Sequence, residues 1–204
     1  VQTCALPISI WLSLFIGADD AISFRGGLGP TLAALHVLTL GVLATTAIGA
    51  AAQLLPVATR RSLAAVWPIR LVFWLMACGV PLLIYGMYSA TIAVTAVAAV
   101  IASVGLLLFG AVLADNLWRA GNLPVVAAYG WAALACLALL TAFGIVLAAD
   151  YQFSFLPNHS NFALAHMILG GFGFMGLLAL GFSHVLVPMF ALSGTPAKKP
   201  SMAG

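Results

Sequence analysis

Charge is what this sequence lacks. Its 204 residues include only seven Lys and Arg and four Asp and Glu, so charged residues make up 5% of the chain and hydrophobic ones 64%. A soluble domain of this size needs roughly a quarter of its residues charged to cover its surface. That deficit excludes a water-soluble enzyme, a nucleic-acid-binding domain and a disordered regulator. The sequence pI near 9.0 does not reopen the nucleic-acid reading, because it rests on a surplus of three charges. Cysteine is scarce too: Cys4, Cys78 and Cys136 share no metal-ligand spacing, and Cys78 and Cys136 read as small apolar side chains within spans. With a mean hydropathy of +1.19, the chain is an integral membrane protein.

The first eight residues stand apart. Val1-Gln-Thr-Cys-Ala-Leu-Pro-Ile8 has no Met, no basic stretch and no small-residue cleavage site, so it is neither a signal peptide nor an ordinary start. It matches what a common sequencing-library adapter encodes when translated, so residues 1–8 are expected to be an artefact, with Cys4 among them. Residues 9–192 then form one transmembrane helical domain, a fragment of a longer protein whose first helix is truncated. Residues 193–204, polar and rich in proline, read as a tail or a cut loop.

Charges punctuate the rest. None occurs in 26–59, 71–114, 120–149 or 151–197. A spanning helix needs about 20 apolar residues, and backbone in lipid must be helical or in a closed barrel. These runs are continuous rather than alternating, which favours helices over barrel strands. The run 71–114 is long enough to fold back once, and Tyr88-Ser-Ala-Thr91 is the natural turn. The expectation is an all-α polytopic bundle: a partial helix at 9–18 and five full spans at 31–57, 67–88, 91–114, 124–149 and 162–190.

Six of the seven basic residues (Arg60, Arg61, Arg70, Arg119, Lys198 and Lys199) fall on one side of that topology. Arg25 lies on the other, with Asp19, Asp20 and Asp150. The basic side is expected to be cytoplasmic. The Ala- and Leu-heavy composition suggests a bacterial inner membrane, where the sequon Asn158-His-Ser160 carries no meaning. A weak repeat also shows: Gly41, Gly49 and Pro56 in the second helix recur as Gly173, Gly181 and Pro188 in the sixth, offset by 132 residues. Both helices run the same way, so the repeat is parallel.

Histidines inside a span are functional candidates. His36 and His166 each lie about one turn inside the outer end of a helix. His184 shares a helix face with His166 but sits about 27 Å further along the axis, so one cofactor cannot bridge those two. His159, after Pro157, reads as a solvated loop residue. Gly170 and Gly173 lie on the stripe below His166, where small residues admit either a neighbouring helix or a flat macrocycle. Thr39, Thr45 and Thr46 are expected to bond back to their own helix or across to another.

At these residues the chain resembles a known pattern. His36-Val-Leu-Thr-Leu-Gly41 leading to Gln53-Leu-Leu-Pro56, and Ala165-His-Met-Ile-Leu-Gly-Gly-Phe-Gly-Phe174 leading to Gly181-Phe-Ser-His-Val-Leu-Val-Pro-Met-Phe190, resemble helices of bacterial multi-span proteins distantly similar to the haem–copper oxidase catalytic subunit and the NnrS-type haem and copper membrane proteins. The likeness covers about a quarter of the chain. It implies haem or copper as cofactor, with His36, His166 and His184 as candidate metal ligands, Gly170 and Gly173 giving ring clearance, and Arg25 neutralising haem propionates. The implied setting is respiratory electron transfer or nitric-oxide handling. A complete oxygen-reducing centre is not expected: the chain has four histidines, no His-His pair, and no Tyr one turn after a His.

The partners to expect are the lipid bilayer, a quinone or a periplasmic electron carrier, and further subunits in a homo- or hetero-oligomer; nucleic acid is not among them. The competing readings are a non-enzymatic transporter, gated by Gln53 and His184, and an assembly or scaffold subunit whose histidines merely pack.

Overall fold

The computed structural model describes residues 8–12, 14, 16, 21–24, 26–120 and 124–191. Among them there is no strand. Five helices are long and apolar enough to cross a membrane: α1 (Pro30–Thr59), α2 (Trp67–Tyr88), α3 (Ile92–Arg119), α4 (Pro124–Phe153) and α5 (His159–Phe190). Short connections join them, so successive helices run in opposite directions and α1 and α5 run the same way. Residues 8–12, 14 and 16 are helical as well, in line with the expected partial first helix, which otherwise lies outside the described residues.

Local chemistry sets the helix ends. Pro30 and Pro68 stand in the first turns of α1 and α2, where the missing N–H costs no hydrogen bond. The expected turn is where the chain reverses: α2 stops at Tyr88, Ala90 adopts a left-handed φ of 51°, and Thr91 precedes α3. The Ser89 hydroxyl donates to the Tyr85 carbonyl at 2.8 Å and closes the end of α2. α3, α4 and α5 extend beyond the expected spans, α4 running on through Asp150 to Phe153. α3 continues to Arg119, whose guanidinium reaches back one turn to Asp115 at 2.6 Å. α5 starts at His159 rather than 162 because Asn158 caps it, its Oδ1 accepting the Asn161 N–H at 3.2 Å.

Close approach at glycine holds the bundle together. On α2, a Cβ at Gly86 would stand 2.7 Å from the Thr95 amide nitrogen, and one at Gly79 would stand 2.9 Å from the Ile101 side chain. Such seams let helices gain packing contacts in a solvent as apolar as their own side chains. α4 plays the same part for α5: a Cβ at Gly173 would meet Cys136 Sγ at 2.8 Å, and one at Gly181 would meet Tyr129 Cβ at 3.0 Å. The core to which all five helices contribute includes Phe109 and Phe174, packed edge to face with centroids 6.3 Å apart.

At the end that carries Arg60, Arg61, Arg70 and Arg119, a buried polar clamp ties α1 to α3. Asn116 is fully enclosed. Its Oδ1 accepts the Thr59 hydroxyl at 2.7 Å, and its amide donates to the Arg61 carbonyl at 3.0 Å.

Two stretches depart from α geometry. Val37–Ala44 in α1 and Leu169–Gly176 in α5 are π-helical, each eight residues long. Their starts and their ends are 132 residues apart, the offset of the sequence repeat. Pro56 and Pro188 lie inside helices below them. π turns are rare and concentrate at functional sites.

The glycine seam gives a test. Gly86→Ala forces backbone apart and should destabilise the fold by about 1–3 kcal/mol. Gly49→Ala, which meets nothing within 4 Å, should be neutral. Unfolding of both variants in mixed detergent micelles measures the difference; equal midpoints would refute the seam.

Candidate functional site

The expected site residues divide into three places. His36 closes the first turns of α1, directly before its π segment. Its Nδ1 lies 2.9 Å from the Leu32 carbonyl. A carbonyl only accepts, so Nδ1 carries the proton and Nε2 holds the free lone pair. His166 reaches the same state by another route. Its Nδ1 lies 3.1 Å from the carbonyl of Leu140 on α4, across the helix interface. Gly144 makes this possible, because a Cβ there would stand 3.1 Å from the imidazole Cε1.

The two rings are half-buried. Neither Nε2 is engaged among the described residues. Each imidazole thus has one nitrogen fixed and the other available, in the tautomer that metal-ligating histidines use.

The glycines behave differently. Gly170 and Gly173 face α4, where a Cβ would meet Leu140 at 3.3 Å and Cys136 at 2.8 Å. Their smallness serves the approach of α5 to α4, not clearance for a flat ring. His184 also meets α4, but two helical stretches away, stacked on Tyr129 with centroids 5.4 Å apart. It therefore does not join His36 and His166. Among the described residues no group of three or more His, Cys, Asp or Glu is placed to hold a metal ion. Arg25, Asp19 and Asp20 lie outside the described residues.

His159 is not the solvated loop residue expected from its place after Pro157. It is the first residue of α5, and its Nδ1 lies 2.7 Å from Asp150 Oδ2. Asp150 is almost enclosed, and its other oxygen accepts the Leu156 N–H at 2.7 Å. The Tyr151 ring tilts against His159, and a Cβ at Gly26 would meet the other edge of the imidazole at 3.4 Å. This pair clasps α4, the loop after it and α5 at the end opposite the arginines. Its sequence signal was an acid and a histidine nine residues apart on either side of a proline, which hydropathy does not register. Gly144 was missed for a similar reason: in a glycine-rich run nothing marks the one glycine that admits an imidazole.

Gln53 is exposed on α1, and a small cavity of about 10 Å³ near the arginine end is lined by apolar side chains and glycine. Of the threonines expected to bond within their own helix, Thr39 and Thr45 do so, donating to the Leu35 and Gly41 carbonyls at 2.8 and 2.6 Å.

No family model, curated protein or solved structure matches this chain.

The clasp makes a prediction. Asp150→Ala leaves the His159 N–H and the Leu156 N–H without their acceptor, which costs more than the bond was worth. The variant should melt several degrees lower and be cut faster by protease within residues 154–158. Asp150→Asn, which keeps one acceptor for Leu156, should fall between. Identical melting of all three proteins would contradict the assignment.

Proposed function

We propose that this chain is a haem-binding protein of the bacterial inner membrane, with His36 and His166 as the axial pair. The observation that carries the reading is the matched state of the two imidazoles. Each has its Nδ1–H tied to a main-chain carbonyl, which fixes ring orientation and raises the basicity of Nε2. Paired histidines on separate helices are an established way to hold a haem iron, and the same nitrogens suit copper.

A haem held by both histidines would supply one-electron transfer. The chain supplies the rest. The Leu32 and Leu140 carbonyls hold the tautomers, and Gly144 gives His166 its room. The surrounding bundle keeps the pair in an apolar medium, which sets redox potential through burial. Both histidines lie toward the end opposite Arg60, Arg61, Arg70 and Arg119. By the positive-inside rule that is the periplasmic half, within reach of a periplasmic electron carrier.

The test is an absorption spectrum of detergent-purified protein expressed with excess haem, oxidised and then dithionite-reduced. A Soret band that shifts on reduction is expected. His36→Ala and His166→Ala should each abolish it, and Gly144→Leu should weaken haem binding by about tenfold or more, because it evicts the imidazole from the Leu140 carbonyl. His184→Ala should leave the band in place. A folded, monodisperse wild-type sample without a Soret band would overturn the reading.

A further inference from the structure

The arginine end carries more positive charge than it settles within the protein. Of the two acids among the described residues only Asp115 lies there, and Arg119 takes it at 2.6 Å. Arg60, Arg61 and Arg70 are exposed, and among the described residues none of them has an ion-pair partner. Three guanidinium groups thus stand between the end of α1 and the first turns of α2 with no carboxylate to answer them.

The loop that presents them is held from α3, which pins two successive carbonyls. The enclosed Asn116 amide donates to the Arg61 carbonyl at 3.0 Å, and the Arg119 guanidinium to that of Ser62 at 3.3 Å. Arg60 closes α1 in the left-handed region, with φ 55° and ψ 32°. Glycine adopts that conformation at lower cost and is the usual residue at such a helix end. An arginine there keeps a cation where backbone geometry alone favours none.

Arg70 fixes the depth. It follows Trp67 by three residues and precedes Trp74 by four, so the three share one stripe of α2. All three are exposed, as are Leu71 and Phe73 beside them. Tryptophan marks the headgroup level of a bilayer. An arginine between two of them lays its stem on apolar surface and lifts its guanidinium to the phosphates. A soluble acidic partner could meet Arg60 and Arg61, but exposed aromatic surface surrounds Arg70. A lipid phosphate meets all three from the plane of the bilayer.

We propose that Arg60, Arg61 and Arg70 form a binding face for the headgroup of an anionic phospholipid in the cytoplasmic leaflet. The net negative charge of the lipid answers the surplus, and the guanidinium forks match phosphate oxygens. The acyl chains lie along the exposed stripe of α2. A zwitterionic phospholipid offers the same phosphate but brings its own ammonium, so it gains less. The face lies at the end opposite His36 and His166 and does not depend on what they bind.

Native mass spectrometry of the full chain in detergent, titrated with dioleoylphosphatidylglycerol or dioleoylphosphatidylcholine, counts the lipids retained. The first phosphatidylglycerol is expected to bind about tenfold more tightly than the first phosphatidylcholine. Arg70→Gln should weaken it about fivefold, and Arg60→Gln, Arg61→Gln and Arg70→Gln together should remove the preference. Asp115→Asn, which leaves Arg119 uncompensated, should tighten phosphatidylglycerol binding, a gain that a misfolded variant does not produce. Inorganic phosphate should not compete, since it has no chains for the α2 stripe. Equal affinity for the two lipids, a preference that survives the triple variant, or displacement by inorganic phosphate would overturn the proposal; the last would mean a site for free phosphate only.

Discussion

A polar group inside a hydrocarbon medium must find its partner within the protein, and this requirement organises the molecule. Water is absent from the interior of the bilayer, so an unpaired donor there costs several kcal/mol. Many polar side chains within the spans answer to it. Thr39, Thr45, Thr95 and Thr141 return their hydroxyls to carbonyls one turn back. Asn116 satisfies both ends of its amide with Thr59 and Arg61. His36 and His166 each give one N–H to a carbonyl. What is left over after that accounting includes the second nitrogen of His36 and of His166, where ligand chemistry has its opening.

Packing follows from the same medium. Lipid gives no hydrophobic drive for helix to meet helix, so contact area must come from close approach. α4 is the spine on which this works. Gly110 of α3 admits Leu134 and Leu137 of α4, and α5 lies against α4 through Gly170, Gly173 and Gly181. Gly144 applies the device in reverse: the helix that lacks the side chain is α4, and the group admitted is an imidazole. One mechanism therefore builds the bundle and places a candidate ligand.

The architecture was legible because charge and apolar length are one-dimensional properties. Four charge-free runs, one of them twice the length of a span, dictate five helices and the reversal at Tyr88–Thr91. The Asn158 cap was not read: apolar length set the start of α5 at 162, and Asn158 registered only as part of a sequon. The clasp between Asp150 and His159 was not, since it depends on how the loop between them folds, and proximity in sequence to Pro157 suggested exposure. The roles of Gly170 and Gly173 were ambiguous in principle: a missing Cβ serves a ring and a helix equally, and only the neighbour decides. Here the neighbours are Leu140 and Cys136.

The repeat between α1 and α5 belongs to the backbone more than to the chemistry. The π segments and the inner prolines keep the 132-residue offset. The polar residues do not: His36 and His166 are two positions out of register, and Gln53 and His184 are one position out. The environments diverge as well. Gly49 meets nothing, whereas its counterpart Gly181 bears on Tyr129; Gly41 barely reaches Val80, whereas Gly173 presses on Cys136. Two equivalent helices thus occupy unequal surroundings, one closing on α2 and the other on α4. A symmetric substrate path would need matched polar groups at matched depths. Two like backbones carrying histidines out of register instead set their side chains in unlike surroundings.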